Sequence, residues 1–161
     1  PDILFVIAGE GPARAGLEAE VELLGLQASV QFIGYLDRHT ELNSCYHAAD
    51  LFVFSSRTET QGLVLLEAMA QGVPVVAIAE MGTRDVLRDG HGVWVARHEV
   101  EDFADKVIRL LADRQARASL SESGRSYARQ WSAGCMAERM LEFYTGVLAR
   151  HAMRQPLLQP A

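Results

Sequence analysis

The sequence predicts a three-layer, Rossmann-like α/β domain: a parallel sheet of about five strands, helices on both faces and a helical C-terminus. Three observations carry that expectation. Residues 2–8 (DILFVIA), Leu51–Phe54 and Val73–Ile78 are short apolar runs without polar alternation, the pattern of strands buried on both faces of a parallel sheet. The first two open onto a glycine-containing or polar turn and then a helix-length segment. From Glu99 onward, apolar residues recur at helical spacing.

The first strand runs into Gly9-Glu10-Gly11-Pro12, where Pro12 suits the first turn of a helix. Leu17, Val21, Leu23 and Leu24 supply the apolar side of that helix, which ends near Gly25. A strand, glycine turn and helix resemble a nucleotide-binding unit. The fingerprint G-x-G-x-x-G is incomplete, however, and no G-K-[ST] loop follows, so a plain tight turn fits equally well. Ser29–Ile33 is the next strand, followed by Gly34-Tyr35-Leu36 and a polar turn at Asp37–Thr40. Leu42–Ala49 reads as a short helix leading to the strand Leu51–Phe54.

The stretch Ser55–Ala77 holds the densest chemistry. A polar loop, Ser55–Gln61, precedes an apolar helical segment, Leu63–Gln71, that Gly72 and Pro74 terminate before the strand Val73–Ile78. The first turn of a helix leaves N–H groups without intrahelical partners, and these with the helix dipole make a phosphate site. Gly62 lets a ligand approach the backbone. Glu67 lies about one turn into the helix and leans back toward the mouth where Glu59 sits. Its neighbours are apolar nearly all round, so the helix is expected to be buried and Glu67 to need a hydrogen-bonding partner. That partner is either a ligand or the protein itself, with Glu59 then an ordinary loop residue; the pattern leaves both open.

Beyond it, Glu80-Met81-Gly82-Thr83-Arg84-Asp85 leads to a turn at Asp89-Gly90-His91-Gly92 and a strand at Val93–Ala96. Asp85, Asp89 and His91 match no metal-ligand spacing, so no metal centre is expected. Three helices follow: a first from Glu99 with Phe103, Val107, Leu110 and Leu111 at helical spacing, then roughly Asp113–Arg129 and Ser132–Ala149. Ser132 is a candidate N-cap, and Met136, Met140, Phe143, Tyr144 and Val147 form the last apolar face.

The net charge of −6, with no basic stripe, argues against nucleic acid as a partner. Cys45 and Cys135 are too far apart for a metal-ligand pattern and read as thiols in a reducing compartment. No apolar run reaches membrane-spanning length, and no signal-peptide pattern is present. A cytoplasmic location is expected.

The stretch SSRTETQGLVLLEAMAQGVPVVA resembles the signature of the family 4 retaining glycosyltransferases, which have the GT-B fold. That signature sets a glutamate, seven residues and a second glutamate within S-x-x-E-x-x-G-L-V-L-L-E-A-M-A-x-G-x-P-V-V-A. Glu59 and Glu67 fall on its glutamates, and Gly62, Ala68, Gly72 and Pro74 on its other fixed points. Gln61 departs from it, standing where an aromatic is commoner and giving a Glu-Thr-Gln-Gly variant. In the Glu80–Asp85 segment a single glycine replaces the family's usual pair, and Asp85 stands where glutamate is usual as the acidic residue opening a short helix.

The resemblance implies that residues 1–152 are the nucleotide-sugar-binding C-terminal domain of a GT-B glycosyltransferase, with 153–161 a disordered tail. The N-terminal acceptor domain, and the first strand and basic loop of the donor domain, are then absent. It implies Glu59 as the catalytic residue, hydrogen-bonded to hydroxyls of the donor sugar. The backbone of Thr60, Gln61, Gly62, Leu63 and Val64 would hold sugar and diphosphate, and Glu67 the ribose hydroxyls. The base would rest against Tyr35 and Leu36, with Gly9 and Gly11 near the nucleotide.

The reaction implied is retaining, metal-independent transfer of a hexose from a nucleotide-sugar, UDP-linked ahead of GDP-linked. The acceptor, a glycan or lipid-linked molecule, would be held by the chain's own N-terminal domain, and the full-length enzyme would associate peripherally with membranes. No separate cofactor is implied, and this part alone would not turn over. A non-catalytic nucleotide-sugar-binding module and a GT-B nucleotide-sugar 2-epimerase are the alternatives. A Rossmann dehydrogenase fits less well, because the dinucleotide fingerprint fails.

Overall fold

Residues 3–38 and 40–154 are described by a computed structural model, in which the chain divides into two units, one ending at Cys45 and one beginning at Tyr46. In the first, strand β1 (Phe5–Ala8) leads to helix α1 (Arg14–Leu23) and strand β2 (Val30–Gly34). The strands are parallel, with Phe5 opposite Val30 and Ile7 opposite Phe32, and the register then shifts so that Ala8 meets Gly34. Helix α1 ends because Gly25 takes a left-handed conformation (φ 67°). The Gly25 N–H then donates to Glu22 O and the Leu26 N–H to Val21 O, the Schellman pairing that a glycine at this position permits.

One expectation fails here. The first strand was expected to be buried on both faces, yet Ile3, Leu4, Phe5 and Val6 are all exposed. A two-stranded ladder in a unit of so few elements cannot cover both faces of an apolar strand.

Helix α2 (Leu42–Ala48) carries the boundary between the units. The second unit continues with β3 (Phe52–Phe54), α3 (Leu63–Ala70), β4 (Val75–Ile78), α4 (Gly82–Val86) and β5 (Val93–Ala96). It closes with α5 (Val100–Ala112), α6 (Arg114–Arg129) and α7 (Ala133–Arg154). Its sheet is parallel in the order β3-β4-β5, with Phe52 beside Val75 and Val75 beside Val93. Central β4 is buried along its whole length, as its unbroken apolar run requires. Val76, Ala96, Leu110 and Leu120 form one core cluster, flanked by Leu51, Val53, Trp94, Phe103 and Val107. The described strands number five, each parallel to its hydrogen-bonded neighbours: a pair in the first unit and a triplet in the second.

Helix α3 stops as expected. Gly72 (φ 78°) donates to Met69 O and Val73 to Ala68 O, a second Schellman closure, with Pro74 just beyond. Its burial is one-sided, however. Leu65, Ala68 and Met69 are buried while Leu63 and Ala70 are exposed, because α6 and the sheet cover only one face. Where the chain before β5 passes α6, Gly92 and Gly124 pack backbone to backbone; a Cβ on Gly92 would overlap the Gly124 Cα.

Caps set the remaining helices. Asp113 Oδ1 accepts from the Ala116 N–H at 2.9 Å to start α6, and Ser132 Oγ from the Cys135 N–H at 3.4 Å to start α7. Helix α4 begins at Gly82 and carries Asp85 in its first turn. Helix α7 runs to Arg154, past the expected start of the tail, and 155–161 lie outside the described residues. Its Met140, Phe143 and Tyr144 are exposed. No helix among the described residues is long and apolar enough to cross a membrane.

Candidate functional site

The loop between β3 and α3 is built around Gly62, the residue that caps α3 with φ 71° and ψ 22°. A Cβ there would meet Leu65, Thr83 and Val86 at 3.5–3.8 Å, ordinary contact distances. Gly62 is therefore required by its left-handed backbone and not by lack of space. It is buried, so the close approach open to a ligand lies at the helix residues after it.

Glu59 turns back on this loop. Its Oε1 accepts from the Gln61 N–H at 2.8 Å and the Gly62 N–H at 3.0 Å. These N–H donors, Gly62 first and then Gln61, hold its carboxyl below the ordinary carboxylate range. Two of the amides expected to face a donor thus face Glu59 in this structure. The next two, the N–H groups of Leu63 and Val64, have no acceptor among the described residues. They sit at the positive end of α3, where an anion is favoured. Thr60 and Gln61 are exposed on the same loop, and the Tyr46 hydroxyl holds the head of α3 by donating to Val64 O at 3.4 Å.

Glu67 is half-buried with its Oε2 fully enclosed. With Leu63, Leu66, Arg129 and Trp131 it lines a cavity of about 450 Å³ between α3 and the end of α6. Leu63 and Glu67 are brought to this one cavity; Glu59 is not among its lining residues. The two glutamates are thus close in sequence but serve different surfaces here.

The sequence reading missed the β4–α4 turn as part of this site. Gly82 N–H donates to Glu59 O at 3.2 Å, and Arg57 Nε lies 3.1 Å from Glu80 Oε2. The buried Thr83 hydroxyl accepts from the Glu80 N–H at 2.9 Å and donates to Glu80 O at 2.6 Å. Met81 has φ 50° and ψ −128°, a conformation glycine tolerates and methionine does not favour. The one available signal was the glycine-containing segment Glu80–Asp85 itself. Arg129 and Trp131 left no signal, since they join the cavity only through the packing of α6 on α3.

In the first unit, Gly9 (φ 120°) donates to Gly34 O at 2.6 Å, which places the β1–α1 turn beside the residue preceding Tyr35. Gly11 O accepts from the Arg14 N–H at 3.1 Å. Tyr35 is 73% exposed, more open than a half-buried aromatic, and Leu36 is half-buried. Gly9, Gly11, Tyr35 and Leu36 therefore share one edge, at the C-terminal ends of β1 and β2. Of the residues weighed as metal ligands, Asp89 accepts through Oδ1 from the Val95 N–H at 2.8 Å, a bond that fixes the turn into β5.

Comparison with known proteins matches this geometry to a family. A D-inositol 3-phosphate glycosyltransferase of Salinispora tropica is 36% identical over 95% of this chain, which spans 33% of that relative's length. The C-terminal domain of a glycosyl transferase group 1 family protein (LpcC) from Francisella tularensis superimposes with a TM-score of 0.72. That match has 29% identity and covers 81% of this chain and 70% of that one. Anabaena Alr3699/HepE, solved in complex with UDP, shares the fold with a TM-score of 0.79 at 22% identity, over 91% of this chain and 42% of that one. The parallel α/β architecture is that of GT-B glycosyltransferases. The family model for glycosyl transferases group 1 matches residues 1–127, and the chain belongs to that family.

Proposed function

We propose that this chain is the donor-binding part of a retaining glycosyltransferase that takes a hexose from a nucleotide-sugar. The observation that carries the reading is the head of α3: two N–H groups, at Leu63 and Val64, without acceptors among the described residues, stand one turn from Glu67 and its cavity. A diphosphate fits the first and ribose hydroxyls the second. In the transfer, the bond from the anomeric carbon to the diphosphate oxygen breaks, a bond to the acceptor oxygen forms on the same face, and the acceptor's hydroxyl proton passes to the departing diphosphate oxygen. The negative charge that accumulates on the leaving diphosphate falls on the Leu63 and Val64 N–H groups and the α3 dipole. Donors fixed in advance are among the largest catalytic terms. Glu59 is assigned to hydroxyls of the donor sugar. A UDP-linked donor is preferred, since a fold relative was solved with UDP. The acceptor, a glycan or a lipid-linked molecule, belongs to a part of the protein beyond this chain, and the reaction needs no metal.

Calorimetric titration of the full-length protein with UDP, GDP and their glucose conjugates tests the reading, with Glu67→Ala alongside. Loss of the charge-assisted bonds to the ribose should weaken nucleotide binding by about tenfold or more. Equal binding by wild type and variant would refute the assignment of Glu67. Consumption of donor without acceptor would point to an epimerase instead.

A further inference from the structure

The β4–α4 turn, Glu80–Thr83, touches the Glu59 loop through several contacts that the core does not require. Gly82 N–H donates to Glu59 O at 3.2 Å. The face of Gly82 that would carry a Cβ lies against the Thr60 peptide, so an added methyl would overlap the Thr60 carbonyl and come within 3.0 Å of Thr60 Cα. Both obstacles are backbone and do not swing aside as a side chain would. Met81 holds a glycine-like conformation while 59% exposed, so its own packing gives little in return for the strain. Thr83 is fully buried; its hydroxyl closes the turn on Glu80, and its methyl group is close to the space above Gly62. Arg57, just before Glu59, pairs with Glu80 at 3.1 Å.

We propose that this turn positions Glu59: Gly82 and Thr83 are positioning residues that fix the height and direction of the Glu59–Gly62 loop for the donor sugar. The inference rests on the reading that Glu59 addresses sugar hydroxyls. Because Glu67 holds the nucleotide end through α3, the turn should govern recognition of the sugar while leaving the nucleotide largely untouched. A displacement of the loop by about 1 Å is enough to cost up to 100-fold in rate.

The test compares Gly82→Ala and Thr83→Val with wild type and Glu59→Ala in the full-length protein, measuring Kd for UDP, Kd for UDP-glucose and steady-state turnover of the conjugate. Thr83→Ser keeps the hydroxyl and serves as the rescue. The expected result is that Gly82→Ala and Thr83→Val copy Glu59→Ala. They bind UDP within about twofold of wild type, lose the difference between UDP and UDP-glucose, and lower kcat by about 10- to 100-fold, while Thr83→Ser stays near wild type. If one variant fails to fold, the other carries the same test. The proposal is overturned if a folded variant keeps the wild-type sugar difference and kcat, or loses UDP and UDP-glucose affinity equally. The underlying reading fails separately, and visibly, if Glu59→Ala itself leaves the sugar difference intact.

Discussion

Replacing Met81 with glycine should make this protein more stable, although it removes a side chain. Met81 is the one non-glycine residue with positive φ among the described residues, and its ψ of −128° is the value of the first central position of a type II′ turn. A residue with a Cβ held there costs about 1–3 kcal/mol. Glycine relieves that strain but adds about 0.5–1 kcal/mol of chain entropy to the unfolded state, so a gain of about 1 kcal/mol remains. The lost packing is small, because Met81 is 59% exposed. For a chain of this size such a gain raises Tm by about 2–4 °C. The assay is a thermal melt and a urea titration of wild type, Met81→Gly and Met81→Ala. Alanine is the decisive control, since it keeps the Cβ and with it the strain, and should not reproduce the gain. Equal shifts for alanine and glycine, or a loss of stability with glycine, would refute the strain argument.

Other perturbations address different parts of the chain. Gly92→Ala would force a methyl into the Gly124 backbone, and with neither element free to retreat from the core the loss should exceed about 3 kcal/mol, visible as a large fall in the urea midpoint. Asp102, held by the Lys106 ammonium first and the Arg97 N–H next, has its carboxyl lowered to about 2 from 3.8. Its contribution is therefore fully present above pH 3.8 and lost as pH falls through about 2, and an NMR titration of its carboxyl should find the midpoint near the lower value. A midpoint near 3.8 would mean that the Lys106 and Arg97 contacts do not persist in solution.

Much of the site was legible because it is local. The β3–α3–β4 segment is contiguous, so the glutamate spacing, the glycine at the helix head and the Gly72-Pro74 stop could all be read along the chain. The boundaries of α3 and the order of the elements followed from apolar period and turn chemistry. What failed was burial. The first strand reads as a core strand because its residues are apolar on both faces, but burial depends on what lies above and below it, which periodicity does not report. Helix α3 misled in the same way: it is apolar all round, yet only the side carrying Leu65, Ala68 and Met69 meets α6 and the sheet.

The sequence by itself determined that this is a parallel α/β chain of the glycosyl transferases group 1 family, and it set the spacing of Glu59, Gly62 and Glu67, where we propose the donor binds. These are properties of short segments, set by backbone preference and side-chain spacing within reach of one another. The tertiary structure alone decided that the Glu59 carboxylate closes on Gln61 and Gly62 while the N–H groups of Leu63 and Val64 meet no acceptor among the described residues. It also decided that Glu67 shares a cavity with Trp131 and Arg129, and that a strained turn around Met81 grips the loop. The cavity and the Met81 turn join residues from different elements that only packing brings together, whereas the Glu59 contact is local and depends on the side-chain conformation and the left-handed Gly62 backbone.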